Sequence, residues 1–91
     1  MGYEGVSRGY VAVMLKNYLD YRDIHVELPE MPVNFADESQ MSATEIEAFR
    51  ILYQTGIFRG DGSGNMEPQT IATRLDLTLL LFRLNLYVNS H

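Results

Sequence analysis

Arginine beside a helix start is the chemistry this chain advertises most clearly. Thr73-Arg74-Leu75-Asp76 opens an apolar run, with Thr73 at the position of a helix cap and Asp76 three residues on, where a carboxylate closes a capping box. A planar guanidinium can grip a carboxylate through two parallel hydrogen bonds. The unpaired amides of a helix start favour an anion beside it. A cation there opposes the helix dipole, so Arg74 calls for a compensating partner. That partner is either an acidic ligand or an acid of its own domain, Asp37 or Asp76. Ser7-Arg8 repeats the arrangement near the beginning of the sequence, without the capping acid.

Other chemistries find less support. Asp61-Gly62-Ser63-Gly64-Asn65 alternates oxygen ligands in the manner of a calcium loop. Counted from Asp61, however, the glycine of position six and the bidentate glutamate of position twelve are Met66 and Ala72. A turn in which Asp61 and Asn65 bond their own backbone is the better reading, with no metal. His25 falls in a linker and His91 is the last residue, there is no cysteine, and no serine sits in an elbow-like setting. Glu45 and Glu47, two apart on a helix, do not face each other. No enzyme and no cofactor is expected.

Three helices must carry these residues. Ser7 caps a first helix over residues 7–21, with Val11, Met14, Leu15, Tyr18 and Leu19 at helical spacing. Ser42 and Glu45 form a capping box for a second, over 43–55, which ends where Gly56 can turn left-handed. Thr73 caps the third, over 74–88. Between the first two, Ile24, Val26 and Leu28 alternate with polar residues, and Pro29 and Pro32 follow. The prolines demote this stretch, residues 22–34, to an extended surface arm, with Ile24, Val26 or Met31 tacked onto the helices. Gly60, Gly62 and Gly64 let the loop after the second helix turn tightly, and Pro68 extends the approach to the third. The fold class is mainly α, with long extended connections. The tyrosines Tyr3, Tyr10, Tyr18, Tyr21, Tyr53 and Tyr87 could stack on sugar rings, but packing in or beside the core is the default.

Composition narrows the partners. Ninety-one residues suffice for one small domain, and 46% hydrophobic with 21% charged is ordinary globular usage. The net charge of -5 is concentrated early: residues 1–40 hold seven acids against Arg8, Lys16 and Arg22. Without a basic stripe the chain is a poor nucleic-acid binder. The longest apolar run, from Leu75 to Leu84, is broken by Asp76 and Arg83 and falls short of the roughly 20 residues of a membrane span. The N-terminus lacks the pattern of a signal peptide, so the export address of a surface protein would lie elsewhere.

The ordered set of motifs resembles the S-layer homology repeat. Phe35-Ala36-Asp37 matches the Phe-x-Asp that opens such a repeat. Gly56-Ile57, the Gly60-Asp61-Gly62 loop, Pro68 and Thr73-Arg74-Leu75-Asp76 follow in the family's order. Val6 to Leu19 resembles the closing helix of a preceding repeat, with Ser7-Arg8 in place of Thr-Arg and Gly9-Tyr10 departing from Ala-Glu. Thr44 stands where the family usually has an aromatic residue. The resemblance implies a single domain over 1–91: a partial-repeat helix to residue 21, the linker, and a full repeat from residue 35 to about 84. It implies a non-catalytic, extracellular module that holds a bacterial surface protein to acidic, pyruvylated cell-wall polysaccharide. Arg74 would be the anchor, with Thr73, Asp76, Gly60 and Arg8 as further ligand-binding candidates. The alternative is an assembly module of the same descent that binds protein and no glycan; the absent aromatic and the altered Ser7-Arg8-Gly9-Tyr10 favour it. Family members commonly join three repeats in one unit. The last helix is apolar almost all round and needs cover on more than one side. A homo-oligomer, or neighbouring repeats, would supply it.

Overall fold

The computed structural model describes residues 5–90. Helices α1 (Arg8–Tyr21), α2 (Ala43–Thr55) and α3 (Arg74–Asn89) form, with a single 3-10 turn, Glu38–Gln40, that the sequence pattern did not suggest. Each helix starts where a hydroxyl can cap it. Ser7 accepts from the Tyr10 amide, while Ser42 with Glu45 and Thr73 with Asp76 close reciprocal capping boxes. Gly56 ends α2 at φ 82°, a conformation open to glycine without Cβ strain.

α1 and α2 are the closely packed pair. Val11, Ala12, Leu15 and Leu19 of α1 meet Ala48, Phe49 and Leu52 of α2 in one cluster that also takes in Ile57, Phe58 and Met66 from the loop. Phe49 sits edge-on between Phe35 and Phe58, with centroids 6.3 and 5.0 Å away. Lys16 ties the pair from outside. Its hydrogen bond to Asp20 (2.8 Å), with Glu47 of α2 at 3.7 Å, raises its pKa above the ordinary lysine value. α3 joins the cluster through Leu80, Leu84 and Val88.

Two backbone features bring the distant ends of this arrangement together. The segment before α1 pairs with the segment before α3. Arg8 N donates to Thr70 O, Gly9 N to Pro68 O and Ala72 N to Val6 O, all within 2.9 Å, around an antiparallel bridge between Ser7 and Ile71. Separately, the buried carboxylate of Asp37 accepts the amides of Met66 (3.1 Å) and Glu67 (2.7 Å). That clasp holds Glu67 at φ 55°, unusual for a non-glycine residue.

The linker is extended, and Ile24 and Val26 lean on the core as expected. Met31 does not: it is 89% exposed, because Pro29 and Pro32 carry it past the helices. The tyrosine expectation holds for two of the rings: Tyr53 packs edge-on against Phe35 at 5.8 Å and Tyr87 leans on the core. Tyr10, Tyr18 and Tyr21 are exposed, as the smaller Val11, Leu15 and Leu19 fill the inner face of α1; Tyr3 lies outside the described residues.

Candidate functional site

The stitched helix starts and the loop after α2 enclose a groove of about 380 Å³. Its walls come from Arg8 of α1, the loop residues Phe58, Arg59, Gly60, Asp61 and Glu67, and Asp76, Leu79, Leu80 and Arg83 of α3. Arg8 is its most constrained member. Its Nε donates to Met66 O at 2.9 Å, its guanidinium lies 4.8 Å over the Phe58 ring, and its Nη1 is 3.7 Å from Asp76 Oδ2. With only 15% of the side chain exposed, this cation is held by a carbonyl, an aromatic face and a carboxylate together.

Arg59 and Arg83 are held differently. Arg59 Nε donates to Gly56 O and Arg83 Nη1 to Ile57 O, both at 3.3 Å, and neither has an ion-pair partner among the described residues. Each guanidinium therefore has donors to spare on the rim of the groove. Gly60 follows Arg59 in the chain and lines the same groove. A Cβ there would strike the Asn65 carbonyl oxygen and the Met66 side chain, so only glycine lets the loop fold back this closely.

The loop beyond Gly60 is closed by Asp61, as the turn reading required. Its Oδ1 accepts from the Ser63 and Asn65 amides, and its Oδ2 from the Asn65 side chain. These bonds, the Ser63 amide first, pull the Asp61 carboxyl below its ordinary value. No group of acidic or histidine side chains positioned to hold a metal occurs among the described residues.

The residues expected from sequence divide into two groups. Arg8, Gly60 and Asp76 converge on the groove. Arg74 and Thr73 lie apart from it: two residues from Asp76 on a helix, Arg74 points to another side. Neither domestic partner considered for Arg74 is used. Asp37 is occupied by the loop amides, and Asp76 by Arg8 and the Thr73 amide. Arg74 is exposed and makes no ion pair among the described residues. Phe58, Arg59 and Arg83 were missed. Arg83 had left a trace, being the lone cation inside an apolar run and seven residues, two helical turns, after Asp76.

Fold and groove together define a small helical module with a charged cleft. The family model that matches is that of the S-layer homology domain, over residues 34–78, and this stretch is an S-layer homology domain. No curated protein and no solved structure matches the chain. The matched residues run from just before Phe35 to the second turn of α3, so they hold the Asp37 clasp, the loop and Asp76; α1 with Arg8 lies outside them. Such domains are non-catalytic modules of surface proteins, typically binding the cell wall. No helix of the described chain is long and apolar enough to cross a membrane.

Proposed function

We propose that this domain anchors its parent protein to cell-wall polysaccharide by taking an acidic substituent, a pyruvyl carboxylate, into the groove between α1, the loop and α3. The observation that carries the reading is the pair of guanidinium groups, Arg59 and Arg83, that line one cleft without an ion pair among the described residues. A carboxylate between them would gain charge-assisted hydrogen bonds. Arg8 and Phe58 form the floor, and Gly60 lets the loop fold back closely enough to make one wall. Arg74, exposed and without an ion pair among the described residues, is a second contact for a polyanionic chain that extends past the groove. In this reading α1 serves as the closing helix of a preceding repeat, because its capped Ser7-Arg8 start is stitched to the Thr73-Arg74 approach.

Co-sedimentation with purified wall sacculi tests the proposal. Binding is expected for the native chain, and loss of binding after chemical removal of pyruvyl groups. Arg59→Ala with Arg83→Ala should abolish it while leaving helical circular dichroism intact, and Arg74→Ala should weaken it only severalfold. Undiminished binding by the double variant would move the site away from the groove. A protein-assembly role without glycan has one observation in its favour, the exposed apolar side of α3, and predicts no sedimentation with wall of either kind.

A further inference from the structure

α3 carries two apolar faces. One buries Leu80, Leu84 and Val88 in the core. The other, on the opposite side of the helix, presents Leu75, Leu79, Phe82 and Leu86, which are 67, 39, 61 and 53% exposed. Their spacing of four, three and four residues is that of a seam along which two helices interlock knob into hole.

We infer that this seam is the contact between two copies of the chain, paired antiparallel about a two-fold axis crossing α3 between Leu79 and Phe82. The seam borders the groove, since Leu79, Asp76 and Arg83 also line it, so a second copy and an acidic glycan would compete for that edge. What selects a second copy is the charge beside the seam. Asp76 and Arg83 flank it on one side, seven residues apart, while Thr78 and Asn85 flank it on the other. Reversing one helix against another lays Leu79 on Phe82 of the second copy and Leu75 on its Leu86. The same operation brings Asp76 beside Arg83 of the second copy, twice per dimer, in the self-complementary manner a two-fold interface requires. Asp76, although paired with Arg8, keeps 31% of its side chain exposed, and Arg83 spends one donor on Ile57. Parallel pairing matches neither charge with its opposite. A lipid surface is disfavoured too, because one acid and one base beside the seam, on a chain of net charge -5, give anionic headgroups nothing to attract.

The chain has no cysteine, which makes the orientation directly readable. Leu75→Cys and Leu86→Cys chains, mixed in equal amounts and mildly oxidised, are expected to give the mixed disulfide in preference to either homodimer. Sedimentation velocity on the native chain should show a dimer that dissociates on dilution. Phe82→Glu should weaken it at least about a hundredfold, the effect of losing a central apolar anchor. Since Phe82 is largely exposed, helical circular dichroism should be retained. A native chain that stays monomeric at every concentration overturns the inference. So do homodisulfides, which would mean parallel helices, and a dimer that survives Phe82→Glu but is lost with Met14→Glu on α1.

Discussion

Two helix starts occupy equivalent places in the motif order, Ser7-Arg8 on α1 and Thr73-Arg74 on α3, and their arginines have opposite fates. Arg8 is wedged under a loop carbonyl, an aromatic ring and a carboxylate, whereas Arg74 stands exposed, without an ion pair among the described residues. Local sequence does not separate them; both follow a capping hydroxyl at the same helix position. The difference is what lies opposite. The start of α1 faces the loop after α2, pinned there by Asp37, and Arg74 projects away from the groove. A motif arginine acquires its role from the surface folded against it, and that surface is encoded some sixty residues away.

Removing the pin should have the largest effect. Asp37→Ala leaves the Met66 and Glu67 amides without their acceptor, at a cost of about 2–4 kcal/mol, and equilibrium urea unfolding should show it. If stability stays within experimental error, the loop holds itself and Asp37 does not build the Arg8 seat. Next comes the contrast itself. Arg8→Ala is expected to cost about 2 kcal/mol through its lost carbonyl, ring and carboxylate contacts. Arg74→Ala should stay within about 0.5 kcal/mol, as exposed substitutions do. Equal losses in paired urea titrations would erase the distinction drawn between the two helix starts.

A smaller effect concerns Gly9, the residue after Arg8. A Cβ on Gly9 would collide with the Glu45 carboxylate that closes the capping box of α2, and would press on the Pro68 carbonyl. Gly9→Ala should therefore forfeit the usual helix gain in the native background. In a Glu45→Ala background it should be more favourable by about 1 kcal/mol, a coupling that a double-mutant cycle measures. Additive effects would show that Glu45 swings aside freely.

The smallest effect is a titration in the loop. The folded Asp61 carboxyl is depressed, so its bonds contribute above the unfolded value and are lost as pH falls through the lower folded one. By carbon-detected NMR it should titrate below 3.8, with the Ser63 and Asn65 amide shifts following the same curve. A midpoint at or above 3.8 would mean that the turn is open in solution.

Helices and caps were legible because their determinants lie within four residues of each other. Ser42-Glu45, Thr73-Asp76 and Gly56 behave as their local chemistry dictates. The loop turn at Asp61 was legible for the same reason. The groove was legible only in part, since its assembly depends on the pairing of residues 6–9 with 68–72, which no periodicity announces. Arg74 read as the anchor because the motif is intact there, while Arg8, in the altered copy, has the more elaborate seat. Gly9, a departure from the repeat pattern, has a reason only in three dimensions: the Glu45 carboxylate and the Pro68 carbonyl lie where its side chain would go. The tyrosines of α1 misled because helical spacing gives the period of a face and not which side of its edge a large ring will take, whereas Tyr53 and Tyr87 do pack beside the core.

The stitch between the approaches to α1 and α3 also fixes how the domain should open. The Arg8 and Gly9 amides are bonded to carbonyls at positions 70 and 68, and the Ala72 amide to Val6 O, so none is released without the others. The Met66 and Glu67 amides belong instead to the clasp with Asp37, which closes around α2 and does not involve α1. Undocking of the N-terminal segment is thus a sub-global event with its own free energy, below that of complete unfolding. Hydrogen exchange should find the amides of Arg8, Gly9 and Ala72 exchanging as one group, ahead of Met66 and Glu67. Each such opening would uncover the floor of the groove, so the clock of the stitch would set how long Arg8 stays in its seat.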